Sequence, residues 1–201
     1  MIKLALPLPQ QCYLAFSGGS DSSMLLHFLT RQPKRFITLL YVIHNDYRHV
    51  YEEFAFVKSV ARKLGIGLEV RQAENALPNT PKEFHWSNER NRIYRSMGLP
   101  VLTAHNLNDA LEWFLMTTTK GSLQGKLIPI KNRNILRPLL ITRKSEINDY
   151  LEYNNIEYYV DPTNKDISIV RNRIRHEVVP AIEFINPGIY HSLVTKYKQG
   201  T

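Results

Sequence analysis

The sequence predicts a doubly wound α/β fold, a mostly parallel sheet with helices on both faces. Three observations predict it. Short apolar runs alternate with longer amphipathic stretches, glycines and prolines punctuate the joins, and the first strand runs directly into a glycine-bearing turn that opens a helix. Strands that alternate with helices pair in parallel through crossover helices, and those helices cover both faces of the sheet.

Each element follows from its residues. Tyr13–Phe16 reads as a buried strand, and Ser22 to Thr30 as a helix with Met24, Leu25, Phe28 and Leu29 at helical spacing. Phe36 to Ile43 is a second strand rich in branched residues. Glu52 to Leu64 is a helix with Phe56, Val57, Val60, Ala61 and Leu64 on one face, stopped by Gly65. Leu68–Val70 is a short third strand, Phe84 to Met97 a polar helix, Pro100–Ala104 a fourth strand, and Asn108 to Thr118 another helix.

Beyond these, Gly121 to Arg133 is polar and reads as a mobile loop. Thr142 is placed to cap a helix running to Tyr153. Asp161-Pro162-Thr163-Asn164 is turn chemistry. Arg171 to Phe184 reads as a basic helix, with Pro180 as a kink or boundary. With no repeat, low-complexity tract or linker in view, residues 1–201 are expected to form one domain.

Composition narrows the class. Of 201 residues, 43% are hydrophobic and 22% charged, which excludes disordered and fibrous chains. The formal charge of +8 favours a polyanionic partner over a merely solubilising excess of lysine and arginine. Cys12 stands alone in an apolar run, so it reads as a buried strand thiol, and no Cys-x-x-Cys site can form. The N-terminus is too short and too proline-rich for a signal peptide, and no apolar stretch approaches the roughly 20 residues of a spanning helix. A cytoplasmic protein with no membrane partner is expected.

Ser17-Gly18-Gly19-Ser20-Asp21-Ser22 lies between the first strand and its helix. Gly18 and Gly19 allow close approach of the backbone to a ligand, and successive N–H groups at a helix start form an anion-binding concavity. The hydroxyls of Ser17, Ser20 and Ser22 add donors. A capped helix start after a tight turn is the plainer alternative. There is no Gly-Lys-[Ser/Thr], so this is not a Walker loop. The fragment resembles the pyrophosphate-binding PP-loop of the N-type ATP pyrophosphatases. That resemblance implies cleavage of ATP between its α- and β-phosphates and a Mg²⁺ ion, with Asp21 as its carboxylate.

Later segments resemble one branch of that superfamily, the tRNA(Ile)-lysidine synthetases. Ala104-His105-Asn106-Leu107-Asn108-Asp109-Ala110-Leu111-Glu112 resembles an Ala-His-His-x-x-Asp-Gln-x-Glu block. Asp109 and Glu112, three apart, share a helix face, suited to holding Mg²⁺ or orienting an amine. Asn88–Tyr94 keeps Arg90 and Tyr94 of an Ala-Arg-x-x-Arg-Tyr helix. Arg137-Pro138-Leu139-Leu140 with Arg143 and Ile147, Asp161–Asn164, and Arg171-Asn172-Arg173-Ile174-Arg175 with Pro180 follow in the family's order.

The resemblance covers nearly the whole chain and implies an adenine nucleotide alpha-hydrolase-like, Rossmann-like catalytic domain. It implies adenylation of cytidine 34 in the anticodon of tRNA(Ile), then attack by free lysine. Asp21, Asp109, Glu112 and Arg90 are the catalytic candidates. Arg48, His105, Arg171, Asn172, Arg173 and Arg175 are candidates for holding substrate or RNA. Departures are local: aligned on Arg48, Asn45 and Asp46 replace a His-Gly pair, and Asn108, Ala110 and Trp113 replace Asp, Gln and Thr. The chain ends about where the catalytic domain of such enzymes ends, so their further C-terminal tRNA-binding domains are not expected in it. Two other readings stay open, an RNA-thiolating PP-loop enzyme and a non-catalytic nucleotide- or RNA-binding module. So does a homodimer.

Overall fold

The computed structural model describes residues 2–44, 50–75, 82–119 and 125–199, with the side chains of 82–84 left aside. Arg48, Asn45 and Asp46 lie outside the described residues. The elements run β1 (Gln11–Ala15), α1 (Ser20–Thr30), β2 (Phe36–Ile43), α2 (Val50–Leu64), β3 (Gly67–Gln72), α3 (Lys82–Ser96), β4 (Val101–Leu102), α4 (Leu107–Thr119), β5 (Lys131–Asn132), β6 (Ile135–Leu136) and α5 (Lys144–Tyr153). A 3₁₀ turn at Pro162–Lys165 follows, then α6 (Val170–Arg173), a π-helical turn (Ile174–Val178), α7 (Val179–Ile185) and α8 (Ile189–Gln199).

The sheet order is β3-β2-β1-β4-β6-β5, parallel except for the β5–β6 pair. Adjacent residues of one strand feed opposite faces, as the two-residue pleat requires. Leu39 joins Leu14, Leu102, Met24, Val57 and Ile147 beneath α1, α2 and α5. Its neighbour Leu40 joins Val101, Ile135, Ile93, Tyr94 and Met97 beneath α3. Register enforces this, because Leu14 lies opposite both Leu39 and Leu102, while Tyr13 lies opposite Val101. A sheet buried on both faces is the expected doubly wound architecture. A further cluster, Leu107, Leu111, Leu140, Ile174, Val179, Tyr190 and Leu193, ties α4 to the C-terminal helices.

The strand order reverses at β1, which has β2 on one side and β4 on the other. In open α/β sheets, ligands bind outside the carboxyl ends of the strands at this switch point.

Four local expectations are revised. The stretch read as a loop through Arg133 ends in strand β5, which turns through Arg133 (φ 57°) and Asn134 into β6. Two-residue strands are too short for alternation to reveal. Leu64 is exposed, since it closes α2 just before Gly65 (φ 63°) turns the chain away. Thr142 does not cap α5. It is fully buried, donating to Lys3 O, and Arg143 takes the cap position, its N–H donating to Glu146 Oε2 at 2.8 Å. The basic C-terminal helix contains a π turn in which Val179 N–H donates to Ile174 O. Pro180 has no N–H to give and its ring displaces the preceding turn, so it stands at a boundary.

Cys12 is buried in β1 as expected, and burial pushes its thiol up to about 11.

Candidate active site

The loop after β1 is fixed by its carbonyls. Gly18 O accepts from Tyr159 N–H (2.8 Å) and Ser23 Oγ (3.0 Å), and Gly19 O accepts from Ser22 Oγ (3.0 Å) and Ser23 N–H (2.9 Å). Gly18 is required twice over. Its φ is +76°, and a Cβ there would lie 2.7 Å from the Phe56 ring. Gly19 precedes the helix without a side-chain cap, so the N–H groups of Ser20, Asp21 and Ser22 open α1 without intrahelical acceptors. Ser17 is exposed, whereas Ser22 is buried and its hydroxyl is spent on the loop itself.

The second wall follows β4. Asn106 caps α4 by accepting from Asn108 N–H (2.9 Å) and Asp109 N–H (3.1 Å), and Asp109 Oδ2 accepts from Asn106 N–H (2.8 Å). This reciprocal box leaves Asp109 Oδ1 for Arg171 Nη2 at 2.7 Å. Glu112 is 2% exposed and accepts from Arg171 Nε (2.8 Å), Arg175 Nε (2.6 Å) and Arg175 Nη2 (3.0 Å). An acidic side chain this deep costs stability unless its oxygens are paired. The two acids do share a face, yet each is taken up by arginine. Among the described residues no cluster of three or more His, Cys, Asp or Glu is set to hold a metal.

Electrostatics differ across the cleft. Burial would raise Asp109, but Arg171 and His105 outweigh it and hold the carboxyl below its usual range. At Asp21 burial wins, raising its carboxyl despite the Lys144 ammonium. His105, with Nδ1 2.9 Å from Thr103 Oγ1, is pushed down to about 4 by burial, aided by the charges of Arg137, Arg171 and Arg90. His44, at the end of β2, is also driven to about 4 by burial and by Arg90, whose Nη1 lies 3.4 Å from its Nε2. Arg90 thus bears on histidines that follow the strands on either side of β1.

The structure therefore brings together Ser17–Ser22, Asp109, Glu112, Arg171 and Arg175, with His105 and Arg90 alongside. Asn172 and Arg173 do something else. Asn172 Nδ2 donates to Thr163 O (2.9 Å) and Asp166 O (3.0 Å), and Arg173 Nε donates to Ile167 O (3.2 Å). Both brace the segment from Thr163 to Ile167, a few residues after Tyr159, whose N–H holds Gly18.

Sequence reasoning missed Lys144. Its Nζ lies 2.6 Å from both Ser20 Oγ and Asp21 Oδ1. The signal was present, for a lysine at the first position of a helix sits at the end where the backbone dipole favours acids.

A family model described as a PP-loop domain matches residues 4–182. The chain belongs to the PP-loop domain family. This PP-loop protein is 34% identical over 190 residues to a tRNA(Ile)-lysidine synthase of Thermosipho africanus, covering 87% of the chain and 44% of that protein. It is 30% identical over 196 residues to the tRNA(Ile)-lysidine synthase of Persephonella marina, covering 90% and 43%. The chain thus spans less than half the length of these relatives. Among solved structures it resembles the U34-tRNA thiolase NcsA of Methanococcus maripaludis, at 16% identity and a TM-score of 0.71, covering 96% of this chain and 73% of that one. That likeness is one of fold. Among the described residues, no helix of this PP-loop protein is long and apolar enough to cross a membrane.

Proposed function

We propose that this chain is an ATP-dependent, cytoplasmic tRNA-modifying ligase that adenylates cytidine 34 of tRNA(Ile) and joins lysine to C2. One observation carries the reading. Unpaired amides at the start of α1 face the switch point, in a chain about a third identical over most of its length to tRNA(Ile)-lysidine synthases.

In this reading the Ser17–Ser22 turn holds the β- and γ-phosphates through amides and the Ser17 and Ser20 hydroxyls. Asp21 would hold Mg²⁺. A single carboxylate suits an ion that takes its other ligands from phosphate and water, and the ammonium already on Asp21 Oδ1 marks a place for positive charge. When bound, Mg²⁺ neutralises charge on the phosphates. Asp109 and Glu112 aim Arg171 and Arg175 at the cleft, where the partly exposed guanidiniums meet charge on the reacting cytidine and its phosphates. His105 stays neutral near pH 7 and so serves as a hydrogen-bond partner, while Arg90 adds positive charge. A single-stranded anticodon base would be splayed into the cleft.

The test is the nucleoside profile of tRNA(Ile) incubated with the protein, ATP, Mg²⁺ and lysine. Lysidine, with AMP and pyrophosphate released in equal amounts, is expected. A thiolated base instead would redirect the assignment, and no tRNA-dependent pyrophosphate from any tRNA would reduce the chain to a binding module.

A further inference from the structure

Trp113 stands where the lysidine synthetase pattern carries Thr, directly after Glu112 and one helical turn beyond Asp109. It is 42% exposed, a large aromatic surface to leave in water. Its carbonyl accepts from Thr117 Oγ1 at 3.0 Å, but among the described residues its indole makes no hydrogen bond or ring contact. A helical side chain covers the turn on the N-terminal side of its own Cα, so the indole lies back towards Asp109 and the mouth of the cleft. Cations flank it along α4. On the cleft side, Asp109 and Glu112 hold the partly exposed Arg171 and Arg175. One turn the other way, Thr117 Oγ1 accepts from the N–H of the exposed Lys126 at 2.8 Å. Asp109, Trp113 and Thr117 form one ridge of α4, spaced by four residues, so an indole sits between guanidiniums and a lysine. Those neighbours and a net charge of +8 disfavour a second copy of the chain as its cover. They suit a polyanion whose units carry π faces.

We infer that Trp113 is a stacking platform for an unpaired nucleobase next to the one that enters the cleft, with Arg171, Arg175 and Lys126 following the phosphates on either side. The inference deepens the reading of the chain as a tRNA-modifying enzyme and rests on it. A base splayed into a pocket leaves its neighbour in the strand without a stacking partner on one side. An exposed indole at the mouth of the cleft replaces that partner. Every base has a π face, so the contact holds the strand in place without reading its sequence. Discrimination stays with the cleft. The cations supply the salt-dependent share of binding, and Trp113 a share that salt leaves alone.

The experiment titrates the full chain into a labelled stem-loop RNA carrying the tRNA(Ile) anticodon, read by fluorescence anisotropy. Trp113→Ala is expected to weaken binding by about 10- to 100-fold, the range for losing one stacked base, and Trp113→Phe by less than about threefold. The slope of log affinity against log salt should match the wild type in both variants, since no ionic contact is removed. A change on the RNA makes the test independent of how the variants fold. Abasic sites are introduced in turn on either side of the target cytidine. At one of them the wild-type chain should lose the same factor, and Trp113→Ala should lose nothing more. Unchanged affinity in Trp113→Ala, equal losses for Ala and Phe, or an abasic loss that persists in full in the Ala variant each overturns the platform while leaving the tRNA reading standing. A wild-type chain with no affinity for the stem-loop would remove the tRNA reading itself, and the platform with it.

Discussion

Arg175 grips Glu112 with two nitrogens, Nε at 2.6 Å and Nη2 at 3.0 Å, and Glu112 accepts a third bond from Arg171. The pairing joins α4 to α6 and the π-helical turn after it, and fixes where two guanidiniums sit. A paired geometry of this kind is judged by what happens when one partner is removed.

Glu112→Gln is expected to destabilise the fold by about 2–3 kcal/mol, below the range for a fully buried pair because both arginines are about a third exposed. Urea unfolding followed by circular dichroism measures this. A loss under about half a kcal/mol would mean the guanidiniums find water as readily as they find Glu112.

Asp21→Ala should abolish tRNA-dependent AMP formation, by at least about a hundredfold, while leaving the thermal midpoint within a few degrees. Radiolabelled pyrophosphate release reports the first quantity and calorimetry the second. Turnover at the wild-type rate would take Asp21 out of the chemistry.

At Gly18, alanine must adopt φ +76° and push its methyl into Phe56. The expected cost is about 1–3 kcal/mol of stability together with loss of nucleotide binding. Truncating Phe56 as well should recover part of the stability, since it removes the clash but not the backbone strain.

Stability should fall on acidification, in part through His105. Its folded value is about 4 against an ordinary 6.5, so between those limits the unfolded chain binds more protons than the folded one. Stability is therefore full above pH 6.5 and declines as pH falls towards 4. His105→Gln should lose less over this window. Subtracting the two stability profiles cancels the other titrating groups, and parallel profiles would show that His105 is not held neutral.

Much of this was legible from residues alone. The β1–turn–α1 unit declared itself because its period, its branched and apolar residues and its glycines agree, and the core positions Met24, Leu25 and Leu29 are fully buried. The common face of Asp109 and Glu112 and the arginine cluster at 171–175 were each visible. That the two meet was not, because the contact is tertiary and no local pattern encodes it. The same holds for Lys144, whose partners lie 123 and 124 residues away. Strands β5 and β6 are too brief to show a period. Asn172 looked like a ligand contact from its motif, yet its amide is used to brace a turn.

Glu112 waits for partners that lie 59 and 63 residues further along the chain. While the protein is being made, the segment that supplies most of the parallel sheet emerges carrying a negative charge whose counterions have not yet left the ribosome. Such an intermediate can collapse, but it must keep α4 wet or leave an acid stranded in its interior. Final closure of the cleft is thus deferred until Arg175 has been synthesised and can reach back.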